Sequence, residues 1–99
     1  MNIYLVCNAG MSTSILVAKM QEVAKKQNLE VAIEAFSVEI LNEKVDTADV
    51  ILIGPQIRHM LPEIEKTVAG KCPTEVIAMR DYGLMNGEAV LKKAMEMVK

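Results

Sequence analysis

Two short apolar runs, Ile3-Tyr4-Leu5-Val6 and Val50-Ile51-Leu52-Ile53, constrain this chain more than any other feature. Neither contains a charged residue that would place one face in water, and both are too short for a buried helix. Such a run reads as an inner strand of a parallel sheet, covered on both sides. Each is followed at once by turn-forming residues, Cys7-Asn8-Ala9-Gly10 after the first and Gly54-Pro55 after the second, and then by helical spacing. A strand that feeds a helix through a tight turn is the unit from which α/β layers are built.

The segments between and beyond the runs complete the pattern. A helix is expected to begin near Ser12, with Leu16, Met20, Val23 and Ala24 inward, Lys19, Glu22, Lys25 and Lys26 outward, and a stop at Gln27-Asn28. Residues 31–36 are rich in β-formers but carry Glu34, which suits a more exposed, edge-like strand. Ser37 reads as the N-cap of a short helix through Val38, Ile40 and Leu41 that ends near Lys44, and Asp46-Thr47-Ala48-Asp49 as a turn. After Gly54-Pro55, the positions Ile57, Leu61, Ile64 and Val68 mark a helix with Gly70 as its C′ residue. Lys71-Cys72-Pro73 leads to a strand over residues 75–79, then a loop Arg80-Asp81-Tyr82-Gly83. Asn86 caps a last helix with Val90, Leu91, Ala94, Met95 and Val98 inward. Right-handed crossovers then predict an α/β three-layer sandwich: a four-stranded parallel sheet of order 2-1-3-4, with helices on both faces. That order puts the two apolar runs at the centre. Its switch point lies between the first and third strands, and the crevice beyond their carboxyl ends is where a ligand binds in open α/β sheets.

Composition narrows the function. The 99 residues are expected to form a single small domain, and a hydrophobic fraction of 52% suits a packed core. With one Phe, two Tyr, no Trp and a net charge of −2, a nucleic-acid platform or an anionic membrane surface is a poor partner. The longest uninterrupted apolar run is five residues, Ile3 to Cys7, far short of a membrane span, and no basic segment precedes a long apolar one as in a signal peptide. The two cysteines stand far apart in sequence without a C-x-x-C motif, which suits free thiols and a cytoplasmic location.

Cys7 is the candidate nucleophile. It sits at the switch point, just ahead of a helix whose first backbone N–H groups point back at it, and those donors with the helix dipole stabilise a thiolate or a bound anion. Ala9, Gly10, Ser12, Thr13 and Ser14 leave the backbone free to wrap around a phosphate and add hydroxyl donors. The competing reading is a buried cysteine that merely ends a core strand. Cysteine phosphatase loops carry a phosphate-clamping arginine six residues after the cysteine; here that position is Thr13, and the chain has no Asp-Pro pair to protonate a leaving group. A carrier that keeps its phosphate is thereby favoured over a hydrolase. Gln56 either donates its amide to the phosphate or a partner or is an ordinary polar loop residue. Arg58 and His59 read first as a solvated helix face and second as side chains that attract phosphate. Tyr82 either shapes the rim of the site or plugs the sheet edge. Asp46, Asp49 and Cys72 fall at the opposite end of the sheet and read as structural. No cluster of histidine, cysteine and carboxylate has metal-ligand spacing, so neither a metal nor another cofactor is expected.

Three stretches together carry a resemblance: Val6-Cys7-Asn8-Ala9-Gly10-Met11-Ser12-Thr13-Ser14, Leu52-Ile53-Gly54-Pro55-Gln56-Ile57-Arg58, and Asp81-Tyr82-Gly83. In this order, over essentially the whole chain, they resemble the enzyme IIB component of the lactose/cellobiose (chitobiose) class of the sugar phosphotransferase system. The resemblance implies that Cys7 receives a phosphoryl group from a histidine of enzyme IIA. It implies that Cys7 then passes the group to a sugar, such as cellobiose, chitobiose or lactose, bound by the membrane component enzyme IIC. Asn8, Ala9, Gly10, Met11, Ser12, Thr13 and Ser14 would form the phosphate cradle, with Gln56, Arg58 and Tyr82 at its rim or against a partner. A low-molecular-weight cysteine phosphatase or arsenate reductase is the alternative, weakened by Thr13. A receiver-like or flavodoxin-like binding module would want an acidic residue where Gly54 stands, and a thiol oxidoreductase would want a second cysteine nearby.

Overall fold

The computed structural model describes residues 1–7 and 11–98, with Met11 and Ser12 in their backbone only. Four strands, β1 (Asn2–Cys7), β2 (Ala32–Ser37), β3 (Val50–Ile53) and β4 (Thr74–Val76), form one sheet of order β2-β1-β3-β4. All three pairings are parallel, with Ile3 opposite both Ile33 and Val50, and Ile53 opposite Val76. The helices are α1 (Met11–Lys26), α2 (Leu41–Lys44), α3 (Leu61–Val68), α4 (Met79–Gly83) and α5 (Gly87–Met97). The expected topology is the observed one.

Side chains alternate across a strand, so each inner strand feeds two cores. Ile3 and Leu5 of β1 with Val50 and Leu52 of β3 pack under α1 and α5, against Leu16, Val17, Met20, Val90, Leu91 and Ala94. Val6, Ile51 and Ile53 pack on the other face with Leu41, Val45, Ile57, Ile64 and Val68. Ile3, Leu5, Val6, Val50, Ile51 and Ile53 are wholly shielded from solvent. Burying each such side chain contributes about 1.5–3 kcal/mol, which is why the runs lack polar residues. Tyr4 uses its position near the edge of this second layer: its ring meets Phe36 edge-on at 5.0 Å and its hydroxyl lies 2.7 Å from Thr47 Oγ1.

Local signals place most boundaries. Ser37 Oγ accepts from the Glu39 N–H at 3.2 Å and Asn86 Oδ1 accepts from the Ala89 N–H at 3.1 Å, so both predicted caps are formed. Asn28 takes a left-handed conformation (φ 55°) just past α1, and Ala69 and Gly70 (φ 53° and 74°) do so past α3.

Four details differ from the sequence reading. The helix after Gly54 is not continuous: residues 55–60 form 3₁₀ turns and the α-helix starts at Leu61. Pro62 has no N–H to give to a carbonyl four residues back, so the chain tightens before it, with the Leu61 N–H bonding to Arg58 O. The segment after Ser37 is likewise 3₁₀, then α2, then 3₁₀, and this change of phase turns Ile40 outward (37% exposed) while Leu41 stays buried. The fourth strand ends at Val76 rather than residue 79, because β3 stops at Ile53 and offers a last carbonyl only to the Ile77 N–H (2.8 Å). The expected loop Arg80-Asp81-Tyr82-Gly83 is helical, closed by the Tyr82 N–H to Ala78 O and the Leu84 N–H to Arg80 O.

Candidate functional site

The carboxyl ends of the inner strands converge on Cys7. It is the last residue of β1, opposite Ser37 of β2, and only 7% exposed. On its other side β3 ends one residue sooner. There Gly54 N–H donates to Val6 O (2.9 Å), and Gly54 O accepts from the Ile57 N–H (3.1 Å). Gly54 has φ −61° and ψ 138°, a conformation open to any residue. A Cβ there would stand at ordinary contact distance, 3.7 Å, from the Cys7 Cβ, but 2.9 Å from Gln56 Oε1, which occupies the space that the glycine leaves. Gln56 therefore folds its amide back over the bare face of Gly54, on the side of Cys7.

The α1 helix starts at Met11, and its inward residues Leu16 and Val17 belong to the core that Ile3 and Leu5 line. Its first-turn N–H groups, which have no acceptor within the helix, thus open at the sheet end where Cys7 lies. Thr13 in that turn is 1% exposed, and its Oγ1 lies 3.1 Å from the Tyr82 hydroxyl, itself on a residue only 7% exposed. This hydrogen bond joins positions 69 apart in sequence and fastens α4 to the start of α1. The turn after α4 is fixed by the Asn86 N–H to Asp81 O (2.9 Å), with Met85 in a left-handed conformation (φ 51°) and packed on the first core.

Around this centre lies an apolar rim. Ile15, Ile40, Met79 and Leu84 are 51%, 37%, 60% and 70% exposed, and each belongs to a segment leaving the carboxyl end of the sheet. Arg80 is exposed on α4, and Arg58 and His59 are exposed on the 3₁₀ segment that follows β3. Of the large apolar residues exposed among the described residues, Met1 alone, 41% exposed, lies at the opposite end, so the carboxyl-end connections suit a contact surface.

The opposite end is built for anchoring. Asp49 Oδ2 accepts from the Asn2 backbone N–H and Asp46 pairs with Lys71 Nζ, both at 2.6 Å, so these aspartates hold turns together. Cys72 is half-buried there, next to Pro73, whose carbonyl accepts from the Ile51 N–H. Burial pushes its thiol pKa up, and the Asp49 charge adds to this against the lowering effect of Thr74. Both cysteines are free thiols. A groove of about 460 Å³ between β4 and α5, crossed by the Lys93–Glu75 pair at 3.5 Å, does not include Cys7.

Of the residues singled out from sequence, Cys7 and Gln56 meet across Gly54, Thr13 and Tyr82 bond to each other where α1 leaves the same end of the sheet, and Arg58 is exposed on the 3₁₀ segment after β3. Asn8, Ala9 and Gly10, and the side chains of Met11 and Ser12, lie outside the described residues. Sequence reasoning missed the Thr13–Tyr82 bond and most of the apolar rim. Ile15 alone carried a signal, since it falls off the stripe of Leu16, Met20 and Val23.

Fold and site define a class: a doubly wound α/β domain with a cysteine at its switch point, set before a helix start. The chain belongs to the family of lactose/cellobiose-specific IIB subunits of the sugar phosphotransferase system (PTS), whose model matches residues 2–93. It is 44% identical over 99 residues to the PTS system galactose-specific EIIB component of Lactococcus lactis subsp. cremoris, covering 93% of this chain and 91% of that one. It is 36% identical over 97 residues to the PTS system oligo-beta-mannoside-specific EIIB component of Bacillus subtilis, covering 97% and 94%. The solution structure of the cellobiose-specific phosphotransferase IIB component from Borrelia burgdorferi superposes with a TM-score of 0.83 at 46% identity, over 98% of this chain and 90% of that one. The lactose-specific IIB domain of Streptococcus pneumoniae shares the fold at a TM-score of 0.89 and only 14% identity, over 100% and 98%. The protein is thus a phosphotransferase component of a sugar phosphotransferase system. Among the described residues no helix is long and apolar enough to cross a membrane.

Proposed function

We propose that Cys7 is the phosphorylated residue of a single-domain cytoplasmic phosphocarrier, with enzyme IIA as donor and enzyme IIC as acceptor. The observation that supports this best is the position of Cys7, at the end of an inner strand and at the sheet end where α1 begins. In the first step the Cys7 thiolate attacks phosphorus in line with the P–N bond of a phosphohistidine; the S–P bond forms and the imidazole leaves. In the second, a sugar hydroxyl held by enzyme IIC attacks, the S–P bond breaks, the thiolate leaves, and the hydroxyl proton passes to the acceptor side. The work asked of the carrier is positioning and charge stabilisation on the equatorial oxygens. Residues 8–14 supply backbone and hydroxyl donors for that charge, with Gln56 at the edge and no cation at position 13 to promote attack by water.

The rim of Ile15, Ile40, Met79 and Leu84, with Arg58 beside it, serves both partners in turn; they dock over Cys7 alternately because each needs in-line access to the same sulfur. Two of the relatives' names, cellobiose and oligo-beta-mannoside, fit a β-linked sugar as the final acceptor, chosen by the membrane component, and the galactose of a third fits a single sugar unit.

Intact-protein mass spectrometry tests the reading after incubation with phosphoenolpyruvate, the upstream phosphotransfer proteins and an enzyme IIA. One added phosphate is expected in the native protein and in Cys72→Ser, and none in Cys7→Ser. Equal loss in both variants, or no phosphate on a folded native chain with a competent donor, would sink it.

A further inference from the structure

We propose that Tyr82 is a positioning residue for phosphoryl transfer at Cys7, acting through Thr13 on the first turn of α1. The inference rests on the phosphocarrier reading above. Tyr82 lies in α4, between β4 and α5, yet its hydroxyl is 3.1 Å from Thr13 Oγ1, and the two residues are 7% and 1% exposed. Water has no access to replace that bond, so a hydroxyl removed from either side leaves a polar group without its partner in a closed space. Thr13 stands within the turn whose N–H groups are free of helix acceptors, and those N–H groups are the donors available to a phosphate on Cys7. The direction of these donors is set by the rotation of the first turn, and Tyr82 is the side chain that fixes it from outside the helix.

The placement of α4 gives the bond its leverage. Tyr82 points into the core under α1, and just beyond α4 the left-handed Met85 packs on the same core. Met79 and Leu84, by contrast, point outward from either end of the helix, 60% and 70% exposed. One short helix therefore carries an apolar contact surface on its outside and, on its inside, the hydroxyl that orients the phosphate donors. Tyr82 needs no contact with phosphate to act; it acts by keeping the donors in line.

The test measures the rate of phosphocysteine formation on the full chain against the concentration of phosphorylated enzyme IIA. Tyr82→Phe is expected to lower kcat on the order of tenfold while KM for the donor stays within about twofold. Thr13→Val is expected to match it, Thr13→Ser to recover most of what Thr13→Val loses, and the double variant Tyr82→Phe/Thr13→Val to be no slower than either single one. A native kcat in Tyr82→Phe, a change in KM alone, or multiplicative losses in the double variant would overturn the inference. Amide hydrogen exchange supplies a readout that needs no donor. The N–H groups of residues 15–17 bond to carbonyls of residues 11–13 in the helix, so their exchange should quicken several-fold in Tyr82→Phe and little in Thr13→Ser. Unchanged exchange in Tyr82→Phe overturns the inference even if the donor is inactive. Failure of the native chain to accept phosphate refutes the carrier reading instead, and is seen before any variant is made.

Discussion

Gly87→Ala should weaken this protein through a contact that no sequence pattern announces. Gly87 opens α5 against the middle of α1, and a Cβ there would stand 2.7 Å from the Lys19 carbonyl carbon and 2.8 Å from the Met20 nitrogen. Ordinary contact begins near 3.4 Å, so the helices must part by more than half an ångström. The obstructing atoms are backbone, which no rotamer change can move. Overpacking of this kind costs about 1–3 kcal/mol. The better helix propensity of alanine offsets less than about 1 kcal/mol, and less still at the first residue of a helix. For a domain of this size a net loss of about 1–2 kcal/mol lowers Tm by roughly 4–16 °C. Urea unfolding followed by far-ultraviolet circular dichroism should show a lower midpoint with an unchanged slope. Gly83→Ala is the control, since a Cβ at Gly83 meets nothing within 4 Å and its φ is not left-handed. It should be neutral or slightly stabilising. Native stability in Gly87→Ala, or an equal loss in Gly83→Ala, would refute the argument that close backbone approach is what selects the glycine.

Three further outcomes follow from the same geometry. Gly54→Ala should slow phosphate acceptance several-fold in the mass-spectrometric assay while lowering the unfolding free energy by less than about 1 kcal/mol. The new methyl would displace the flexible end of Gln56, 2.9 Å away, from its place beside Cys7, while standing at ordinary contact distance (3.7 Å) from the Cys7 Cβ. Asn86→Ala should lose about 1 kcal/mol in the same unfolding experiment, the usual worth of a side-chain cap, because the Ala89 N–H loses its acceptor. For Cys72 the folded thiol has its pKa raised, chiefly by burial, so its contribution to stability is whole below the ordinary thiol range and fades as pH rises through the folded value. Between pH 7 and about pH 10 the native protein should therefore lose more stability than Cys72→Ala, whose parallel decline would exclude Cys72 as the source.

What could be read from the chain was whatever depends on neighbours in sequence. The two apolar runs marked the inner strands because burial on both faces forbids polar alternation. Ser37 and Asn86 announced their caps because capping is local. The fourth strand was misjudged at its end: Val76-Ile77-Ala78-Met79 looks like one extended apolar run, but its pairing is limited by where β3 stops, which is set elsewhere in the chain. Gly83 looked like a loop signal and instead ends α4. At the site, the Gly54-Pro55 turn was legible, whereas the placing of the Gln56 amide against Gly54, beside Cys7, arises only when β1 and β3 lie side by side. Tyr82 was left between rim and sheet plug; its hydroxyl's partner lies 69 positions away, beyond the reach of any local pattern.

Cys7 closes the strand that has partners on both edges, and β2 accompanies it to its final residue. The sulfur's coordinates are therefore inherited from the whole sheet and not from the turn that follows. Apart from Ile15 on α1, the contact residues belong to short connections: the 3₁₀ turns after β2 and β3, and the five-residue α4 with the turn that follows it. Chemistry and recognition are thus written on mechanically separate parts. A relative can acquire a new partner by rewriting a few rim side chains while its nucleophile stays where the sheet puts it.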